Sequence, residues 1–132
     1  MRVYRVSHKT LRGEGGFPLG PYADRSGMHD VVPDEEMRAL GAMSWAHDYD
    51  THPSPYLDAG ITDFTQQDVC AFRSLESLRA WFEPHWRVLL DAVGFQVEIY
   101  DVPAEAVQHG EAQSVFKRAE GRCVGAQSLL SV

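Results

Sequence analysis

Between Ser74 and Pro103 the hydrophobic period changes from that of a helix to that of a strand, and the change falls at a single glycine. No other stretch of the chain constrains the fold so strongly. Ser74 is a good N-cap, and Glu76 stands in the first turn, where an acid complements the helix dipole. Leu75, Leu78, Trp81 and Phe82 follow at helical spacing. Pro84 interrupts or restarts the helix. Trp86, Leu89, Leu90 and Val93 then recur at i, i+3, i+4 and i+7, one apolar face, and Gly94 is a natural C-cap. From Phe95 to Val102 the period is two, with Phe95, Val97 and Ile99 on one face, and Pro103 ends the run.

The flanking sequence is read the same way. Val3-Tyr4-Arg5-Val6-Ser7 alternates and predicts a first strand. Glycines and prolines from Gly13 to Pro21 predict a long loop ending at Tyr22, with neither the Gly-Lys-Ser/Thr of a phosphate loop nor a helix opening directly behind it. Pro33-Asp34-Glu35-Glu36 opens a helix whose apolar side holds Met37, Leu40, Ala42 and Met43, with Trp45 as a further candidate, and which ends before Asp48. Short strands are predicted at Val69–Phe72 and Gln113–Lys117, the latter pairing with Arg122–Val124, and a helical turn at Pro103–Val107. The sum is a small single α+β domain over residues 1–132: an N-terminal strand, central helices, then an antiparallel sheet. A chain of 132 residues, 44% apolar and 23% charged, suffices for one core of this kind. No apolar run reaches a membrane span, and the N-terminal strand lacks the core of a signal peptide, so a cytoplasmic location is expected. Cys70 and Cys123 belong to no CxxC pair and read as reduced packing residues.

The net charge of −7 disfavours nonspecific nucleic-acid binding, which needs a basic footprint, and suits a basic protein partner. The segment from Ala46 to Gly60 concentrates the titratable groups: two histidines, three aspartates and two tyrosines, with no lysine or arginine. Imidazole with carboxylate suits zinc, iron or manganese, yet no HExxH or His-x-His pair is present and aspartate is a common turn residue, so no metal is expected. Pro53 and Pro55 brace the segment as an ordered acidic loop whose Asp48, Asp50, Tyr56 and Asp58 are candidate contact residues. Tyr22 and Tyr49 join them, because tyrosine joins a rigid apolar ring to a polar tip. His29-Asp30 reads as surface loop. The Trp81/Phe82/Trp86 cluster reads as core or helix contact before ligand pocket.

Tyr4-Arg5-Val6 near the start, Phe72-Arg73-Ser74 opening a helix and Gln113-Ser114-Val115-Phe116 in a late strand resemble the Arg–Ser–Glu layout of the ADP-ribosyltransferase superfamily. The resemblance implies an NAD-using fold in which Arg5 holds a phosphate, Ser74 supports the nicotinamide ribose and Gln113 stands at the catalytic position. That family has glutamate there, and Glu111 is the nearest acid. Tyr-Arg-Val, Gly-Pro-Tyr, His-Pro-Ser-Pro and the late Trp-Phe helix are also similar to small accessory proteins of actinobacterial phages and prophages. Some proteins of that kind, anti-CRISPR inhibitors among them, block a bacterial defence complex by occupying its basic surface.

The favoured expectation is therefore a small acidic accessory protein, without cofactor, that binds a basic protein partner and inhibits host defence. The alternative is an ADP-ribosyltransferase-like enzyme, or a nucleotide-binding relative, using NAD through Arg5, Ser74 and Gln113.

Overall fold

The structure is a computed structural model that describes residues 1–22, 28–48 and 50–132; Tyr49, a candidate contact residue, lies outside them. In chain order the elements are β1 (Arg2–His8), α1 (Asp34–Ala46), β2 (Asp68–Ala71), α2 (Leu75–Trp81), α3 (Pro84–Ala92), β3 (Phe95–Asp101), β4 (Val107–His109), β5 (Ser114–Lys117) and β6 (Arg122–Gln127). The fold is α+β, with two antiparallel sheets of three strands, ordered β1-β3-β6 and β2-β5-β4. No helix among the described residues is long and apolar enough to cross a membrane.

The helices begin as their sequences dictate. The Ser74 hydroxyl accepts from the Ser77 amide at 3.1 Å, the bond expected of an N-cap, and Pro84 occupies the first turn of α3. Leu78, Trp81, Phe82 and Leu90 turn inward onto Val6, Phe95 and Val97, one face of the β1–β3 pair, where Leu40 and Met43 of α1 join them. The opposite face carries Val3 and Tyr100, which close with Val102, Ala71 and Phe116 into a second apolar cluster. Both faces of β1 are thus covered. Along a strand alternate residues face opposite ways, so one short strand serves both clusters.

The two sheets meet at one rung. Tyr4 donates its amide to the Phe72 carbonyl at 2.8 Å, and Phe72 returns the bond at 2.7 Å. β1 and β2 make no further rung among the described residues. Beyond it they diverge, with Arg5 and Val6 on one side of the gap and Asp68, Val69 and Cys70 on the other.

The sheet corrects four readings of the sequence. β6 pairs with β3, not with β5. The partners of β5 are β2 and the three-residue β4, which is too short to show a period. What folds β4 onto β5 is distant: the buried Asp58 carboxylate accepts from the amides of Glu111 at 2.7 Å, Ala112 at 3.2 Å and Gln113 at 2.9 Å, fixing the turn between them. Gly110 lies against that carboxylate, where a Cβ would fall 2.3 Å from it. Trp45 does not join the apolar side of α1 and is 90% exposed, and Ala42 is exposed as well. Neither cysteine is a core residue; both are exposed.

Gly94 has φ of 104°, and a Cβ there would lie 2.6 Å from His8 Nε2, which donates to the Val93 carbonyl. Gly41, inside α1, would meet nothing within 4 Å. Chemical denaturation should therefore separate the two glycines. Gly94→Ala is expected to lose about 2 kcal/mol or more from left-handed strain and displaced His8, and Gly41→Ala to gain about 0.5–1 kcal/mol. Equal effects would contradict the helix-to-strand junction described here.

Candidate functional site

The divergence of β1 and β2 opens a cleft of about 750 Å³, within the range of small-molecule sites. α1 and the loop at residues 52–55 form one wall and the α2 aromatics another, while Gln113, at the entry to β5, faces in from the second sheet.

Arg5 sits in the strand wall, on β1, 9% exposed. Its Nη1 makes all the hydrogen bonds the guanidinium forms with the described residues: to Ser7 Oγ at 2.6 Å, the Pro18 carbonyl at 3.1 Å and, at 3.5 Å, the Val6 carbonyl. Nε is buried without a partner among the described residues. Nη2 borders Gly20, where an added Cβ would stand 3.1 Å from it. The Phe17 ring lies 5.1 Å below the guanidinium carbon. Burial lowers the pKa of Arg5, with partial relief from Tyr100, Cys70 and Glu98, but an arginine stays charged under such pressure. No carboxylate forms an ion pair with it among the described residues. Glu98, its cross-strand neighbour, instead receives the Tyr100 hydroxyl at 3.2 Å. Asp68, across the gap, is held by Lys117 at 3.0 Å and by the Thr65 amide at 2.8 Å.

The helical wall is a closed polar circuit. Trp81 Nε1 donates to the Tyr22 hydroxyl at 2.9 Å, and that hydroxyl is hydrogen-bonded in turn to His47 Nδ1. The His47 ring stacks on His52, centroids 3.9 Å apart and 6° from parallel. His52 Nε2 donates back to the Trp81 carbonyl at 2.8 Å. The first and last of these directions are forced, because an indole can only donate and a carbonyl only accept. His47 Nε2 is buried and has no partner among the described residues. Burial, then the neighbouring His52 and His85, push its pKa down to about 4. Burial likewise raises the Tyr22 hydroxyl. Cys70 opens onto the cleft but is walled by protein, so its thiol is pushed up to about 11 despite the attraction of Arg5.

Gln113 is fixed from both ends. Its amide nitrogen donates to the Pro53 carbonyl at 2.7 Å and its backbone to Asp58. Pro53 can only accept, so the Gln113 NH₂ is committed to it.

The expected site residues separate on this geometry. Arg5 and Gln113 line the cleft, whereas Ser74 is spent capping α2, its hydroxyl also donating to Ser77 Oγ at 3.0 Å, and it contributes nothing to the lining. The three do not converge. Glu111 is exposed. Tyr22 is a cleft residue, 44% exposed. Asp48 closes the turn after α1, its Oδ1 accepting from the amides of Asp50 and Thr51 at 3.0 and 3.1 Å; those bonds, Thr51 first, lower its pKa. Asp50 and Tyr56 are exposed, Tyr56 with its ring edge-on to Phe64. Asp58, expected as a contact residue, is instead 3% exposed, and its acceptors are consumed by the 111–113 turn. No group of three or more His, Cys, Asp or Glu among the described residues is placed to hold a metal ion. The sequence reading missed the His47–His52 stack and the cleft position of Cys70. The only available signal was the density of titratable side chains after α1, which gives no pairing.

The chain matches the model of the bacteriophage T4 Y00F protein family over residues 1–130, and it belongs to that family. Comparison with curated proteins and with solved structures gives no match.

The neutral, buried His47 predicts a pH dependence of stability. Its folded pKa of about 4 lies below the ordinary 6.5, so the unfolded chain takes up the proton first as pH falls. Stability should be complete above pH 6.5 and decline toward pH 4, by about 3 kcal/mol from this residue. His8 and His109, also lowered by burial, act in the same sense. Thermal unfolding of His47→Gln, whose amide can still pair with Tyr22, should show a visibly shallower decline. An unchanged profile would contradict the neutral state.

Proposed function

We propose that this phage-family protein is an accessory protein that binds a nucleotide-class small molecule, NAD or its ADP-ribose portion, with an anionic group on Arg5. One observation carries the reading: a buried guanidinium on the wall of a ligand-sized cleft, with no carboxylate paired to it and with Nε and Nη2 unused among the described residues. Removing a cation from water costs several kcal/mol unless a counter-charge replaces the lost solvation. Nε and Nη2 form one edge of the guanidinium, the fork that takes two oxygens of a phosphate or carboxylate. Gly20 supports this function, because its missing side chain leaves Nη2 uncovered.

Binding asks less of the cleft than group transfer does. Gln113 brings no carboxylate, Cys70 is held as a neutral thiol and Ser74 stands elsewhere. Calorimetry with NAD and with ADP-ribose tests the reading. The wild type is expected to bind at least one of them. Arg5→Gln should weaken that affinity about 10- to 100-fold, and Arg5→Lys, which keeps charge but loses the fork, should fall between. Circular dichroism establishes that the variants fold. No binding by the wild type, or equal affinity in Arg5→Gln, would refute the assignment.

A second reading, inhibition of a bacterial defence complex through a basic protein surface, is favoured by the loop beside the cleft. Tyr56 is 73% and Leu57 68% exposed there, on a chain of net charge −7. Capture of a basic host protein that is lost in Tyr56→Ala and weakened in Asp50→Asn would support it. Capture unaffected by both would remove it.

A further inference from the structure

Trp45 is the most exposed of the large apolar side chains among the described residues, at 90%, and it stands on the last turn of α1 at the rim of the same cleft as Arg5. An indole left in water forgoes the burial that makes tryptophan worth carrying, roughly 150–250 Å² of ring surface. Its position is not loose. Two residues later His47 closes the helix, donating its amide to the Met43 carbonyl at 3.0 Å, and is locked by Tyr22 and by the His52 stack. Trp45 is thus an unburied aromatic plane held by a fixed anchor. Tyr22, the other exposed aromatic on this cleft, has one face laid nearly parallel on Phe82, 15° apart at 6.1 Å. The cleft therefore offers a cation in its wall and aromatic surface at its rim. That combination fits a ligand with an anionic group at one end and a flat ring at the other.

We infer that Trp45 is the base-stacking residue of this site, so that the ligand is recognised as a nucleotide rather than as a sugar phosphate or a small acid. The inference rests on the binding reading above and adds the ring to it. A stacked base contributes through its π-face whatever its hydrogen-bonding edge, so the platform selects for a base without choosing among bases.

The test compares ADP-ribose with ribose 5-phosphate on the wild type, Trp45→Ala and Trp45→Phe, by calorimetry and tryptophan fluorescence. An exposed side chain is safely replaced, so all three proteins should fold alike. Trp45→Ala should bind ADP-ribose about 10-fold or more weakly while ribose 5-phosphate is unaffected, and Trp45→Phe should retain most of the affinity. ADP-ribose should quench wild-type fluorescence, and the quench should vanish in Trp45→Phe, which identifies its source. If ADP-ribose binds the wild type and Trp45→Ala equally, without a quench from Trp45, the stacking role is overturned and the Arg5 site stands. If neither compound nor NAD binds the wild type, both readings fall together.

Discussion

The architecture turns on the single rung between Tyr4 and Phe72. Two hydrogen bonds there join the backbones of the two sheets, and the strands separate immediately afterwards. Were the ladder to continue, Arg5 and Val6 would face paired backbone, and no cleft would exist. Because it stops, the unpaired flanks of β1 and β2 become walls. Apolar clusters on both faces of β1 then keep that short strand in place beside a cavity of about 750 Å³. A strand flanked by core on both sides is well suited to hold a buried charge, since its backbone has little room to swing the guanidinium into solvent.

The cleft is electrostatically uneven. On the helical wall the side chains are bonded to one another: Trp81 to Tyr22, Tyr22 with His47, and His52 back to Trp81. Such a network holds its members in one geometry. On the strand wall the opposite is true, since Arg5 bonds to the described residues through Nη1 alone. The acids near the cleft are engaged with Lys117, with Tyr100 or with the turn after α1. An anion entering the cleft would meet a cation that no described carboxylate pairs, opposite a wall of hydrogen-bonded side chains. That is the arrangement in which electrostatic binding costs least reorganisation.

The fold was legible in the sequence where local chemistry decides it. Ser74, Pro84 and Gly94 start, restart and stop helices for reasons that need no tertiary information, and the boundaries of α2, α3 and β3 follow them. Strand partners were not legible. β6 and β5 both present short runs, and which of them joins β3 depends on the Asp58 clamp across more than fifty residues. The site was half legible. Arg5 and Gln113 were named through a resemblance, and the structure brings both to the cleft. Asp58 looked like one more acid of an exposed loop, and only its three backbone donors reveal it as buried. Trp45 carries the same lesson reversed: its spacing suited the core, but packing of Leu40 and Met43 already fills the inward face of α1.

On the proposed reading, Arg5 is a buried cation that takes an anionic ligand. Nitrogen-15 NMR of the arginine side chains addresses it most directly, since Arg5 Nε–H is shielded yet unpartnered. One slowly exchanging Nε–H signal, absent in Arg5→Lys, should shift on titration with ADP-ribose and track its binding. A signal that stays in place while ADP-ribose binds elsewhere, or does not bind, would contradict it.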